Sequence, residues 1–233
     1  MSLCVIPARG GSKRIPRKNI RAFCGHPMIA WPIRAALASG CFERVVVSTD
    51  DDEIADVAVA AGAEAPFRRA ADLADDHTPT VPVIADAITR LGVTDRTPVC
   101  CLYATSPFVD PTDLRRGLDR LEETGAPFVL SVTTYAFPIQ RALRRDTSGR
   151  VEMFDPAQMQ IRSQDLEEAW HDAGQFYWGH AKSWTSGRGI FEAGAQGLAL
   201  PRHRVLDIDT EEDWQHAEWM RQALSTNYAG NHG

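Results

Sequence analysis

Leu3-Cys4-Val5-Ile6-Pro7-Ala8-Arg9-Gly10-Gly11-Ser12-Lys13-Arg14-Ile15-Pro16-Arg17-Lys18-Asn19 stands near the start of the chain and decides its architecture. A short apolar run ending in a glycine-rich turn reads as a buried strand with a loop at its carboxyl end. Open α/β sheets bind ligands at that end of their strands. Gly10 and Gly11 let backbone N–H groups approach an anion with no Cβ in the way. Ser12 adds a hydroxyl, and Arg9, Lys13 and Lys18 add positive charge. With Arg14, Arg17 and Arg21, six cations fall within thirteen residues. They repel one another unless an anion joins them, and a polyphosphate is the anion this patch suits. The loop matches neither the P-loop G-x-x-x-x-G-K-[ST] nor the dinucleotide fingerprint G-x-G-x-x-G.

Outward from this loop, strands alternate with helices. Apolar residues at helical spacing run from Pro27 to Ser39, with Gly40 just after. Then come a strand at Arg44–Thr49, a helix at Asp51–Ala61 closed by Gly62, and a strand at Glu64–Phe67. A helix at Thr80–Leu91, a strand at Pro98–Tyr103, a helix at Pro111–Thr124 and a strand at Pro127–Thr133 follow. This alternation implies βαβ units: an α/β fold with a mainly parallel sheet covered on both faces. Cys100-Cys101-Leu102, lacking polar alternation, fits a strand buried on both sides. Residues 136–173 lose the rhythm and read as an extension rather than a separate domain. Order returns at Gly174–Gly179 and Ala199–Ile208, and an amphipathic helix at Glu211–Leu224 closes the chain before a tail from Asn227 that should fray.

At 233 residues the chain suits a single domain, 1–233, carrying that extension. A net charge of −6 argues against a nucleic-acid surface. No apolar run reaches the roughly 20 residues needed to span a bilayer, and the start lacks a secretory pattern. Five cysteines without metal-binding spacing read as reduced thiols buried for packing, so the expected address is the cytoplasm.

Two acidic stretches complete the pattern. In Val205-Leu206-Asp207-Ile208-Asp209-Thr210-Glu211-Glu212-Asp213, strand geometry would point Asp207 and Asp209 to one face, where both can meet a hard cation. Thr210 and Asp213 form a capping-box pattern, and a purely capping role for Asp209 or Thr210 is the competing reading. In Ser48-Thr49-Asp50-Asp51-Asp52-Glu53, capping by Asp50 or Asp51 competes with a ligand role. Tyr103-Ala104-Thr105-Ser106-Pro107 lies at a strand's carboxyl end and should line the cleft. His171-Asp172 lacks a nearby nucleophile and does not make a triad.

The segment Ile6–Asn19 resembles the signature of the cytidylyltransferases that make CMP-sialic acids, and Asp207–Trp214 resembles that family's metal-binding segment. The order STDDDEIA, RRAADLADDHTPT, YATSPF and RSQDLEEAWHDAGQFYWG matches as well, so the likeness covers nearly the whole chain. Tyr103, where the N-acetylneuraminate enzymes usually carry glutamine, and residues 162–178 resemble the branch acting on pseudaminic acid. The resemblance implies a Rossmann-like sheet, a homodimer, and transfer of CMP from CTP to an acidic nine-carbon sugar with Mg²⁺. It implies that Arg9, Gly10, Gly11, Ser12, Lys13, Lys18 and Asn19 hold the triphosphate, with Lys18 also catalytic. Arg69 and Thr80 would read cytosine, Asp207 and Asp209 would hold Mg²⁺, and Tyr103, Arg162 and Tyr177 would face the sugar. In such dimers the extension closes the partner's sugar pocket. Rival readings are a cytidylyltransferase for another acidic sugar (N-acetylneuraminate, legionaminate or the eight-carbon acid of lipopolysaccharide), a non-catalytic nucleotide-binding module and, more weakly, a dinucleotide oxidoreductase.

Overall fold

The computed structural model describes residues 2–75 and 77–230, with side chains of the last helix through residue 224. Strand β1 (Leu3–Pro7) leads into the basic loop and a short hairpin, β2 (Ala22–Phe23) and β3 (His26–Pro27). Helix α1 (Ala30–Ser39), strand β4 (Arg44–Ser48), helix α2 (Asp52–Ala60), helix α3 (Thr80–Leu91), strand β5 (Pro98–Leu102) and helix α4 (Pro111–Thr124) follow. Then come β6 (Val129–Thr134), a small hairpin of β7 (Leu143–Arg145) and β8 (Val151–Met153), and β9 (Trp170–His180). Helix α5 (Ala181–Thr185), strand β10 (Gln196–Ala199) and helix α6 (Glu211–Gly230) end the described chain.

Six strands form one sheet in the order β10-β6-β9-β5-β1-β4. β1 pairs in parallel with β4 and β5, and β10 in parallel with β6. β9 runs antiparallel between β5 and β6. The sheet is therefore mainly parallel and Rossmann-like, with one long reversed strand at its middle. One face packs Ile33, Ile54, Leu114 and Leu121 of α1, α2 and α4, and the other packs Ile84, Ile88 and Trp184 of α3 and α5.

Local chemistry sets the helix ends. Asp110 caps α4 by accepting from the Thr112 N–H at 2.8 Å, with Pro111 in its first turn. A third cluster joins Ile15 of the basic loop, Phe23 and Met28 of the hairpin region, and Ile208 and Trp214. Burying such side chains stabilises by roughly 1.5–3 kcal/mol each. This cluster docks the end of the chain beside the basic loop.

Several elements differ from the sequence reading. Glu64–Phe67 makes only isolated bridges, Val46 with Glu64 and Thr49 with Arg68, because Pro66 has no N–H to give a ladder. α1 starts at Ala30, since Pro27 is used in the hairpin. Trp170–Ala173 belongs to β9 rather than to the extension. The strand expected at Ala199–Ile208 is β10 at Gln196–Ala199 followed by a short 3-10 turn. The last helix continues past Leu224 to Gly230, so the part of the tail expected to fray that remains, 231–233, lies outside the described residues.

Candidate active site

A cleft of about 690 Å³ opens at the carboxyl ends of β1 and β5. The loop after β1 supplies Arg9, Ser12, Lys13, Lys18 and Asn19 to it. Arg69 comes from the segment beside β4, Thr80 from the start of α3, and Tyr103 from the end of β5. Eight residues singled out from sequence thus line one cavity. A larger, open hollow of about 920 Å³ lies at the other end of the sheet, near Asp95, His180 and Lys182, and holds none of them.

The six loop cations divide by task. Arg17 pairs with Asp51 and Glu53, and this pairing holds the Asp51 carboxyl below the usual range. Arg21 pairs with Glu211 at 2.5 Å and lies over the Trp214 ring. Both serve the fold. Arg9, Lys13, Arg14 and Lys18 remain along the cleft. Lys18 Nζ donates to the Ile208 carbonyl at 2.7 Å and to Asp209 Oδ1 at 3.2 Å, while Arg14 Nη2 lies 2.8 Å from Asp209 Oδ2. Asn19 donates to the Arg9 carbonyl at 2.9 Å, and Ser12 donates to the Ile15 carbonyl at 2.7 Å, so both shape the loop from within.

Gly10 acts differently from the expectation. Gly10 donates its N–H to Asp50 Oδ1 at 3.0 Å, and a Cβ there would sit 2.6 Å from Asp51 Oδ2. Its missing side chain serves the approach of an acidic strand end, with its N–H already spent. Gly11 faces open space. Asp51 caps α2 through the Ile54 N–H at 2.9 Å, leaving Asp50 to brace the loop. From sequence Asp50 offers a capping or a ligand role, and its bracing of the loop is not legible because its partner lies 40 residues away.

Residues 205–209 belong to no strand, yet alternation survives: Ile208 is buried while Asp207 is exposed. Thr210 and Asp213 exchange reciprocal bonds of 2.8 and 3.2 Å, a capping box that leaves the Asp209 carboxylate to Lys18 and Arg14. The Asp207 carboxyl sits above its usual range through partial desolvation and then through the charge of Asp209. Two hard-oxygen donors, of which Asp209 raises the cost of charging Asp207, fit a divalent cation such as Mg²⁺. No group of three or more metal-ligating side chains occurs among the described residues, so phosphate oxygens and water would complete the shell.

Arg69 is the most telling side chain. It is only 6% exposed, and among the described residues its Nε and Nη2 find no hydrogen-bond acceptor. Asp50 approaches no closer than 3.7 Å, and burial pulls the guanidinium below its usual range. Leaving buried donors idle costs about 1–3 kcal/mol, a cost that a ligand's acceptors relieve. Beside it, Thr80 Oγ1 meets the Tyr103 hydroxyl at 2.8 Å, and burial pushes that phenol up to about 12.

Two residues expected to face the sugar do not line the cleft of the single chain. Tyr177 is 2% exposed and lies beneath Tyr103, its hydroxyl bound to Asp172 Oδ2, so it backs the cleft wall instead of forming it. Arg162 sits exposed on the extension, paired with Asp165 at 2.7 Å, away from the cleft lining. His171 Nδ1 meets only the Asp172 carbonyl, and no dyad forms between the two side chains.

The family model described as "Cytidylyltransferase" matches residues 3–187, a span that contains every cleft-lining side chain named above. The chain belongs to the cytidylyltransferase family. Among curated relatives, the pseudaminic acid cytidylyltransferase of Campylobacter jejuni subsp. jejuni serotype O:2 is 44% identical over 219 residues, 93% of this chain and 94% of that one. The CMP-N,N'-diacetyllegionaminic acid synthase of Legionella pneumophila subsp. pneumophila is 34% identical, across 94% of this cytidylyltransferase and 96% of that protein. A solved CMP:2-keto-3-deoxy-manno-octonic acid synthetase complexed with CTP superposes with a TM-score of 0.69 at 18% identity, covering 96% of this chain and 99% of that one. That likeness shows the shared fold. Among the described residues, no helix of this cytidylyltransferase is long and apolar enough to cross a membrane.

Proposed function

We propose that the protein transfers CMP from CTP to pseudaminic acid, releasing pyrophosphate, with Mg²⁺ as cofactor. The observation that carries this reading is the buried Arg69 guanidinium, its donors idle, in the same cleft as the basic loop after β1. Arg69 and Thr80 receive the cytosine. Arg9, Ser12, Lys13 and Lys18 hold the triphosphate and offset charge on the departing pyrophosphate. The sugar's anomeric hydroxyl attacks the α-phosphorus in line, so positioning and charge neutralisation suffice and no protein nucleophile is needed. Asp207 and Asp209 would hold Mg²⁺, which supplies Lewis-acid polarisation of the phosphate when bound. The 44% identity to a pseudaminic acid enzyme supports the sugar, and Tyr103, which lines the cleft, would contact it.

Residues 1–233 form a single nucleotidyltransferase domain in this reading, working as a homodimer in the cytoplasm. Phe137, Leu143, Val151, Phe154 and Met159 on the extension are all more than half exposed, a surface that a second copy would cover. The extension of one protomer then brings Arg162 to the sugar carboxylate in the other. Five free thiols suit a reducing compartment. Incubation with CTP, Mg²⁺ and a panel of nonulosonic acids, with products identified by mass, tests the assignment. CMP-pseudaminic acid is the expected product, and a greater yield with another acidic sugar reassigns the substrate. Absence of any CMP-sugar, or turnover unaffected by EDTA, contradicts the mechanism.

A further inference from the structure

Asp113 is a buried carboxylate that the proposed chemistry does not use. It lies in the first turn of α4 and is only 2% exposed, a burial that charged side chains adopt when they are paired. Its Oδ1 accepts from Arg116 at 2.7 Å, and Arg204 Nη1 lies 2.7 Å from its Oδ2. The second contact is a charge pair, since Asp113 Oδ2 accepts no aligned hydrogen bond among the described residues. Arg204 Nη1 also stands 3.6 Å from Oδ2 of Asp110, the α4 cap. The guanidinium therefore sits between two carboxylates at a helix start, the end that least favours a cation unless anions offset the dipole.

Arg204 opens the stretch that carries the two acidic residues of the cleft. Gln175 of β9, itself 4% exposed, donates its amide to the Arg204 carbonyl. Just upstream, the Leu200 N–H donates to the Val132 carbonyl of β6 at 2.8 Å. Downstream, Ile208 is buried beside Trp214, and its carbonyl accepts from Lys18 at 2.7 Å. Asp207 lies between these anchors, in a stretch that belongs to no strand, so no sheet ladder sets its place. Three residues separate it from Arg204, and so short a length of chain leaves little slack. A buried ion pair adds little net stability over an apolar pair of similar volume, and its best-attested service is to fix a register.

We propose that Asp113 and Arg204 are positioning residues: their buried pair fixes the start of the 204–209 stretch on α4 and so presents Asp207 and Asp209 to the basic loop in the geometry that receives the metal–nucleotide complex. The inference rests on the reading that these two carboxylates hold Mg²⁺. It adds to that reading a device built from two residues that do not line the cleft.

Calorimetric titration of the full chain with CTP, once in Mg²⁺ and once in EDTA, tests it through the ratio of the two affinities. In Arg204→Met that ratio should shrink about tenfold or more, the scale of losing a group that orients a metal ligand, while affinity in EDTA stays near wild type. The double variant Asp113→Leu/Arg204→Met replaces the ion pair with apolar groups, and it should recover the melting temperature but not the ratio. A purely structural role would lower the melting temperature of Arg204→Met and leave the ratio unchanged, which overturns the proposal. Should Arg204→Met not fold, a wild-type ratio in the folded double variant overturns it equally. Asp207→Asn is the control for the underlying reading. A wild-type ratio in that variant, or a wild type that binds CTP alike in Mg²⁺ and EDTA, sinks the metal assignment itself and separates that failure from failure of the positioning pair.

Discussion

Lys18 Nζ and Asp209 Oδ1 stand 3.2 Å apart although 191 positions separate them in sequence. This contact joins the loop after the first strand to the segment before the last helix. A cation suited to phosphate and a carboxylate suited to a divalent metal therefore share one place. Each partly neutralises the other, and each has a second partner, Ile208 for Lys18 and Arg14 for Asp209.

Replacement of Lys18 by alanine should lower kcat by about a hundredfold or more, the scale seen when one charge-stabilising donor is removed. Stability should fall by only about 1 kcal/mol, since the lost bonds are few and partly solvated. Pyrophosphate release and thermal melting measure the two effects. Full activity in a folded Lys18→Ala protein would exclude the loop from the chemistry.

The carboxylate pair separates function from capping. Asp207→Asn and Asp209→Asn should each lose most turnover, whereas Thr210→Ala should cost about 1 kcal/mol of stability and leave kcat nearly intact. Because the folded-state pKa of Asp207 is raised, its ionisation opposes folding. The penalty is absent below the unfolded pKa and complete above the folded one. Without metal at neutral pH, Asp207→Asn should be at least as stable as wild type, and less stable behaviour in melting experiments contradicts the linkage.

Arg69→Met should weaken CTP binding at least tenfold while leaving the fold as stable or more stable, because a buried cation with idle donors is removed. Isothermal titration and denaturant melts decide it. Unchanged CTP affinity would dissociate Arg69 from base recognition.

The two loop glycines should respond in opposite ways. Gly10→Ala places a Cβ 2.6 Å from Asp51 Oδ2 and must shift the loop or the α2 cap, reducing both stability and activity. Gly11→Ala meets open space and should leave stability unchanged. A loss of CTP affinity in Gly11→Ala alone would show that the backbone there must approach a phosphate closely.

Sedimentation should find a species of twice the chain mass at micromolar concentration, and Phe154→Asp should dissociate it. Phe154 is 65% exposed in the single chain, so the substitution should not unfold the protomer. An active monomer would overturn the assembly and with it the delivery of Arg162 across the interface.

The helices Thr80–Leu91 and Pro111–Thr124 were legible to the residue, since apolar spacing, Pro111 and the glycines at 92 and 125 are local signals. Glu64–Phe67 misled because its apolar and β-prone residues mask Pro66, whose missing N–H counts only once a neighbouring strand is there to pair. The reversal of β9 was invisible: strand direction is a property of partners, and Trp170–His180 has the same buried composition either way.

By itself the sequence determined the alternation of strands and helices, the basic loop after β1, and the Asp207–Asp209 spacing. These depend on chemistry within a few residues of each other. Only the tertiary structure decided which loop cations face the cleft and which are held by Asp51, Glu53 and Glu211. It alone put Tyr177 behind Tyr103, left Arg69 with idle donors, and brought Asp209 to Lys18. The physical reason is that burial, desolvation and hydrogen-bond partnership are set by groups far apart along the chain, which come together only when the sheet and the last helix have packed.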